Sequence, residues 1–146
     1  MENQRLEQTI LKNLVLNETF SRKVLPYIKG EYFTESDERT VYREIQEYFL
    51  KFSKPPTTEA LLINLESNEE ISDVILGSAK KVVGGFGTYT EETPVEWLTE
   101  ETEKWCQDRA IYLALMDSIE VVDKKSQRST GEIPELLKDA LSVTFD

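Results

Sequence analysis

Few residues of this chain could carry out chemistry. The sequence has no histidine, which removes the commonest general base and the commonest metal ligand. Its single cysteine, Cys106, lies in a predicted helix beside Trp105, and no histidine is present to activate it. A buried structural thiol is therefore favoured over a nucleophile. We expect no catalytic, cofactor-binding or metal-binding residues, and no cofactor for this chain.

The acidic residues do not form a convergent site either. Adjacent glutamates occur at 69–70, 91–92 and 100–101, and neighbouring residues on a helix do not face each other. The sequence GGFG at 84–87 lacks the Lys-Ser/Thr that follows a phosphate-binding loop, and no strand precedes it. We interpret it as a turn, and the carboxylates as unsuited to a di-metal centre.

The composition excludes several functions. The chain has 146 residues, a formal net charge of −11 and a pI of about 4.6. Such a chain repels phosphate, so strong DNA binding by this domain alone and binding to anionic membranes are disfavoured. The N-terminus lacks the basic and apolar regions of a signal peptide, and a single cysteine cannot form an internal disulfide. These features predict a cytoplasmic protein.

Helical periodicity runs through the first part of the chain. Proline residues at 55–56 and glycine residues near 84–87 interrupt it, and nothing is typical of a strand. Ser36 and Thr57 are candidates for helix N-caps. The apolar spacing predicts helices over 2–16, about 18–28 with an interruption near Pro26, about 36–54, about 57–66 and 71–83.

A second region begins after the break at 84–92. Thr93, Pro94 and Glu96 form a strong helix start, with an N-cap, a proline at the first position and a capping box. No glycine or proline follows until Gly131, which predicts one long helix over about 94–125 and a last helix from about Pro134. The sequence therefore predicts an all-α fold, with a small helical globular head (1–92) and a C-terminal antiparallel helical hairpin (93–146).

The long helix contains an unusual apolar run. Residues 110–116 carry no charge, and charged segments flank them on both sides. A helical projection predicts a stripe facing the second arm, including Tyr112 and Met116, with apolar shoulders on either side of it. Leu113 lies on one of these two shoulders. A single partner helix can bury only one stripe. The apolar shoulders therefore stay exposed to solvent unless something else packs against them.

The sequence leaves open two explanations for what buries the two apolar shoulders. The hairpin could fold against its own head, or a second copy or another protein could pack on it. We favour the second explanation and predict self-association into dimers. The predicted subunit interface consists of Ile111, Leu115, Ile119, Val122, Leu137 and Leu141.

Three segments, taken in order, resemble the N-terminal domain of DnaB-type replicative DNA helicases of the T-even phage branch. Residues 20–66 have the family's EYF sequence after an acidic or polar turn, an amphipathic helix, a proline break and a leucine-rich helix. Residues 97–122 resemble the first hairpin arm, including Arg109-Ala110 before the apolar residues. Residues 131–146 resemble the second arm.

The resemblance implies a role in assembly. In this family the N-terminal domains pair, three pairs form a collar on the hexameric ring, and primase and the helicase loader engage that collar. The chain has no Walker A sequence. The resemblance thus implies that ATP and Mg²⁺ belong to an absent motor domain, and that this piece is an excised domain or a stand-alone relative.

Two other functions compete with this interpretation. The helicase-binding domain of a primase resembles the same fold, although Met1 opens this domain directly, which favours the helicase. An acidic phage inhibitor that mimics DNA would also suit the net charge of −11. Its negative residues, however, are interspersed with basic ones along the helices.

Overall fold

The computed structural model describes residues 4–88 and 91–146, and within these ranges the fold is all-α, which confirms the predicted class. The start of the first predicted helix, at residues 2–3, and part of the predicted break, at residues 89–90, lie outside the described residues. The helices that the structure describes are α1 (Gln4–Leu16), α2 (Glu18–Val24), α3 (Ser36–Phe52), α4 (Thr58–Ser67), α5 (Asp73–Gly84), α6 (Val95–Val122) and α7 (Ile133–Leu141).

The chain forms two compact units, Met1–Thr99 and Glu100–Asp146. The sequence predicts a boundary between residues 92 and 93, whereas the structural division lies inside α6. The first unit contains α1 to α5 and the first turn of α6. The second contains the rest of α6 and all of α7.

Two predicted helix ends differ from the observed ones. The helix expected over 18–28 ends at Val24, because Pro26 lies in a separate 3-10 turn at Leu25–Tyr27. Ser36 is not the N-cap of α3. It is the first helical residue, and its hydroxyl accepts a hydrogen bond from Arg39 Nη2 at 3.1 Å. The N-cap position is occupied by Glu35, whose side chain makes no capping bond.

Helix α3 is central to the first unit, where it packs against α1, α4 and α5. Its first half is the buried half: Val41, Tyr42 and Ile45 are fully buried, and the Tyr42 hydroxyl donates to the Ile28 carbonyl at 2.9 Å. The apolar spacing that predicts this helix continues from Ile45 through Phe49 to Phe52, but the Phe52 side chain is 52% exposed. Likewise Val74, which belongs to the apolar spacing that predicts a helix over 71–83, is 79% exposed.

The first unit also buries two carboxyl groups on neighbouring helices. Glu7 of α1 accepts hydrogen bonds from the Thr34 backbone N–H at 3.1 Å and from the Thr34 hydroxyl at 2.8 Å. Glu38 of α3 is fully buried. Burial, followed by the hydrogen bond and charge of Glu7, raises the pKa of Glu38 to about 8. The Glu38 carboxyl is therefore mostly protonated at neutral pH and can donate to Glu7.

The predicted cap at Thr57 is present, and its removal should be measurable. Thr57 Oγ1 accepts a hydrogen bond from the Ala60 N–H at 3.0 Å. We expect Thr57→Ala to lower the free energy of unfolding by about 1 kcal/mol, because an N–H of the first turn loses its acceptor. Thr57→Ser keeps the acceptor and should cost less. Urea unfolding curves that rank the two variants equally would contradict this role.

Candidate subunit interface

The predicted hairpin is built on one unbroken helix, α6, which runs from Val95 to Val122. It ends where Lys124 adopts a left-handed conformation with φ 60. The chain turns, and Ser129 and Glu132 form a capping box, with the Ser129 N–H donating to Glu132 Oε2 at 2.8 Å. Helix α7 follows with Pro134 in its first turn, close to the predicted start.

Polar contacts fix the C-terminal end of the second arm on α6. Glu103 Oε2 accepts a hydrogen bond from the Phe145 N–H at 2.8 Å, and Gln107 Nε2 donates to the Val143 carbonyl at 3.0 Å. At the other end of the arm, Ile133 lines a groove together with Val122 of α6. The two arms therefore run antiparallel, as the sequence predicts.

The side of α6 that faces α7 differs from the predicted one. Glu103 and Gln107 mark this side, and Ala110 and Ala114 continue it at spacings of three and four residues, with exposures of only 9% and 7%. This buried side of α6 therefore carries two small side chains, and Val121, which is 4% exposed, continues it one heptad after Ala114. The row lies on one of the two apolar shoulders that the helical projection predicts, and not on the stripe that was expected to face the second arm. The spacing of three and four residues is the signal in the sequence that identifies this row as one side of the helix.

Tyr112 and Met116 were predicted to face the second arm, and this is wrong. They are 47% and 43% exposed. At about 100° per residue, Tyr112 lies on the side of the helix opposite Gln107 and Ala114. Its ring is covered only in part, by the Arg109 guanidinium, whose Cζ lies 4.9 Å from the ring centre. These two side chains belong to the exposed face of α6.

Three predicted interface residues lie together on that exposed face. Leu115, Ile119 and Val122 are 48%, 52% and 62% exposed. With Ser118 and Ile133 they line an open, apolar groove of about 420 Å³, which we call the α6–α7 groove. Ser118 and Ile133 were not among the predicted interface residues.

The other predicted interface residues are distributed over both arms. Leu141 on α7 is 72% exposed, whereas Ile111 on α6 and Leu137 on α7 are half-buried. All six positions therefore retain some accessible apolar surface. Their role in association stays a prediction.

The side chains considered for chemistry lie in unreactive surroundings. Cys106 is fully buried, and burial, with the nearby negative charge of Glu103, raises the pKa of its thiol to about 12. The thiol is therefore protonated at physiological pH. In residues 4–88 and 91–146, no three potential metal-ligating side chains of the His, Cys, Asp or Glu type lie close enough to share an ion. No helix in the same ranges is long and apolar enough to cross a membrane.

Comparison with known proteins relates the chain to a replicative helicase. No family model matches the chain. The chain is, however, similar to a "DnaB-like replicative helicase" of Enterobacteria phage T4. The identity is 27% over an alignment of 148 residues, which covers 95% of this chain. The chain spans about 30% of the length of that helicase.

This match bears directly on the resemblance identified in residues 20–66, 97–122 and 131–146. It extends over nearly the whole chain, so it includes both the head and the hairpin. The helical fold agrees with it, although fold class alone would not identify the relative. The resemblance to DnaB-type replicative helicases of the T-even phage branch is therefore confirmed.

Proposed function

We propose that this chain is the N-terminal assembly and partner-docking domain of a phage hexameric replicative DNA helicase. The similarity to the phage T4 helicase supports the general assignment. The observation that carries the assembly role is the exposed apolar face of α6, formed by Leu115, Ile119 and Val122 around the α6–α7 groove. Contiguous apolar surface of this kind is typical of a protein interface.

The proposed association has two levels. Two copies pair through the predicted interface residues on α6 and α7, and three such pairs form the collar of a hexamer. Large apolar side chains near the centre of a patch contribute most of the binding energy in typical interfaces. Leu115 and Ile119 have this position, since Val122 and the inter-arm turn lie beyond them on one side and charged residues precede the run on the other.

The remaining parts of the proposal follow from the family. We propose that primase and the helicase loader dock on the assembled collar, and that this chain contributes assembly rather than catalysis. ATP hydrolysis with Mg²⁺ would then belong to another part of the helicase. A helicase of a phage would act in the cytoplasm of its host cell.

A charged side chain in the exposed face should prevent pairing without unfolding the chain. Sedimentation velocity of the unaltered chain should show dimers, and Leu115→Glu should weaken dimerisation by about 100-fold or more, because pairing would desolvate a carboxylate. Circular dichroism should show unchanged helix content. Ile111→Glu should act in the same direction, with a smaller effect, because Ile111 is only half exposed.

Leu50→Glu is the matched control for this experiment. Leu50 is 76% exposed but lies on α3 of the first unit, outside the predicted interface. It should leave dimerisation unchanged. An unaltered chain that stays monomeric at high concentration would contradict the proposal, and so would dimers that survive both Leu115→Glu and Ile111→Glu.

A further inference from the structure

Two fully buried carboxyl groups meet at the starts of two neighbouring helices of the first unit. Glu7 lies in the first turn of α1, and Glu38 lies in the first turn of α3. No hydrogen bond of standard geometry reaches either carboxyl oxygen of Glu38, and both atoms are shielded from water. A carboxylate in that position would lack both solvent and donors, which is strongly unfavourable. The pair is therefore stable in the interior only with a proton on one of its two groups.

Hydrogen bonds decide which of the two groups keeps the proton. The Glu7 carboxyl oxygens accept from the Thr34 backbone N–H at 3.1 Å and from the Thr34 hydroxyl at 2.8 Å, and such bonds favour the charged form of the acceptor. Glu38 has no comparable donors, and burial, followed by the hydrogen bond and charge of Glu7, raises its pKa to about 8. At neutral pH the proton therefore stays on Glu38, and Glu7 remains the acceptor that binds Thr34.

Within residues 4–88, no basic side chain compensates a second negative charge in this cluster. The charged groups that act on Glu38 are Glu7 of α1 and Asp37 of α3, which are both acidic, and none comes from the other helices of the first unit. The amide of Gln8 opposes them only in part. The Arg39 guanidinium is bound to backbone carbonyls of the turn before α3, at 2.8 and 2.9 Å. Loss of the proton thus leaves two carboxylates together, which is unfavourable until water reaches them.

The first turn of α1 is the part of this cluster that opens at the lowest cost. Helix ends fray more readily than helix centres, because their first N–H groups have no partner within the helix. Thr34, which binds Glu7, is itself exposed, so this bond lies at the surface of the unit. The fully buried Ile10 and Leu11 lie one turn further along α1. Fraying of residues 4–7 would therefore hydrate both carboxyl groups without unpacking the core of α1.

We propose that Glu7 and Glu38 form a latch controlled by one proton: while the pair holds the proton, Glu7 fastens the turn at Thr34 to α1, and its loss to water releases Thr34 and frays the first turn of α1. Opening becomes easier as pH rises from about 5 to about 8, because the open form has already released the proton that the closed form retains. The latch lies within the first unit and does not depend on the self-association proposed above.

Hydrogen exchange at the Thr34 amide measures the latch, because this N–H donates to Glu7. After correction for the intrinsic exchange rate, we expect its protection factor in the unaltered chain to fall between pH 5 and pH 8, by up to about tenfold per pH unit. Its opening free energy should stay below that of Ala79 and Val83, which are buried in α5 and report on global unfolding. In Glu38→Gln the protection of Thr34 should not vary with pH.

Glu44→Gln is the matched control for this experiment. Glu44 is also a buried carboxyl group on α3, but it accepts a hydrogen bond from Asn68 Nδ2 at 3.0 Å, on the turn between α4 and α5. Its removal should leave the pH dependence at Thr34 unchanged. The inference is overturned if Thr34 protection in the unaltered chain does not vary with pH, or if Thr34 exchanges only by global unfolding, with the opening free energy of α5. Both outcomes are measured without a substitution, and both leave the proposed function standing.

Discussion

Replacing Glu38 with glutamine is expected to remove most of the dependence of stability on pH between about pH 5 and pH 8. The pKa of Glu38 is about 8 in the folded chain, against 4.5 for the ordinary group. Between these values the folded state holds a proton that the unfolded state has released. The free energy of unfolding therefore falls as pH rises, by about 1 kcal/mol per pH unit and about 3 kcal/mol over the window.

The substitution is close to isosteric and separates titration from packing. Glutamine cannot ionise, but its amide N–H, like a protonated carboxyl, can donate to the nearby Glu7 carboxylate. We expect Glu38→Gln to match the unaltered chain near pH 5 and to be the more stable of the two at pH 8. Urea unfolding at several pH values between 5 and 8 measures both slopes.

Two further carboxyl groups make the comparison specific. Burial also raises the pKa of Glu44, although its hydrogen bond from Asn68 acts in the opposite direction. A smaller slope of the same sign should therefore persist in Glu38→Gln and decrease further when Glu44→Gln is added. Glu35→Gln, at an exposed position, should change nothing. Unfolding free energies that stay level or rise from pH 5 to pH 8 would disprove the raised pKa of Glu38 in the folded chain.

Placing a glutamate at residue 114 should be far more damaging than placing one at residue 115. Ala114 is 7% exposed on the side of α6 that faces α7, whereas Leu115 is 48% exposed on the exposed face of α6. A carboxylate at 114 must lose its water or push the second arm away. We expect Ala114→Glu to cost about 2–4 kcal/mol of stability, the range for an unpaired polar group buried without a partner.

The comparison between adjacent positions controls for helix propensity and net charge. In the monomer, Leu115→Glu should change the unfolding free energy by about 0.5 kcal/mol or less, as an exposed surface substitution does. Its effect should appear in association instead. Thermal unfolding and sedimentation on both variants separate the two roles. Equal losses of stability at 114 and 115 would show that the observed side assignment of α6 is wrong.

The sequence by itself determined the fold class, the main helices and the resemblance to a helicase domain. The signals for these helices are local: the prolines at 55–56, the cap at Thr57 and the absence of helix breakers before Gly131. Such signals act on the neighbouring backbone whatever the tertiary structure around them. They were sufficient to place α3, α4, α6 and α7 to within a few residues. Leu115, Ile119 and Val122 are exposed, as residues of an association surface must be before association, and their role in the interface stays a prediction.

Only the tertiary structure decided which side of each helix is buried. Helix α6 has apolar side chains on several sides, so its periodicity does not select one. The side that is hydrogen-bonded to residues 143 and 145 buries Ala110 and Ala114, whereas Tyr112 and Met116 stay exposed. Similarly, Glu7 and Glu38 appear to be surface residues in the sequence, yet folding places them together in the interior. Burial depends on what the rest of the chain places opposite a residue, and that relation between distant segments is absent from any local pattern.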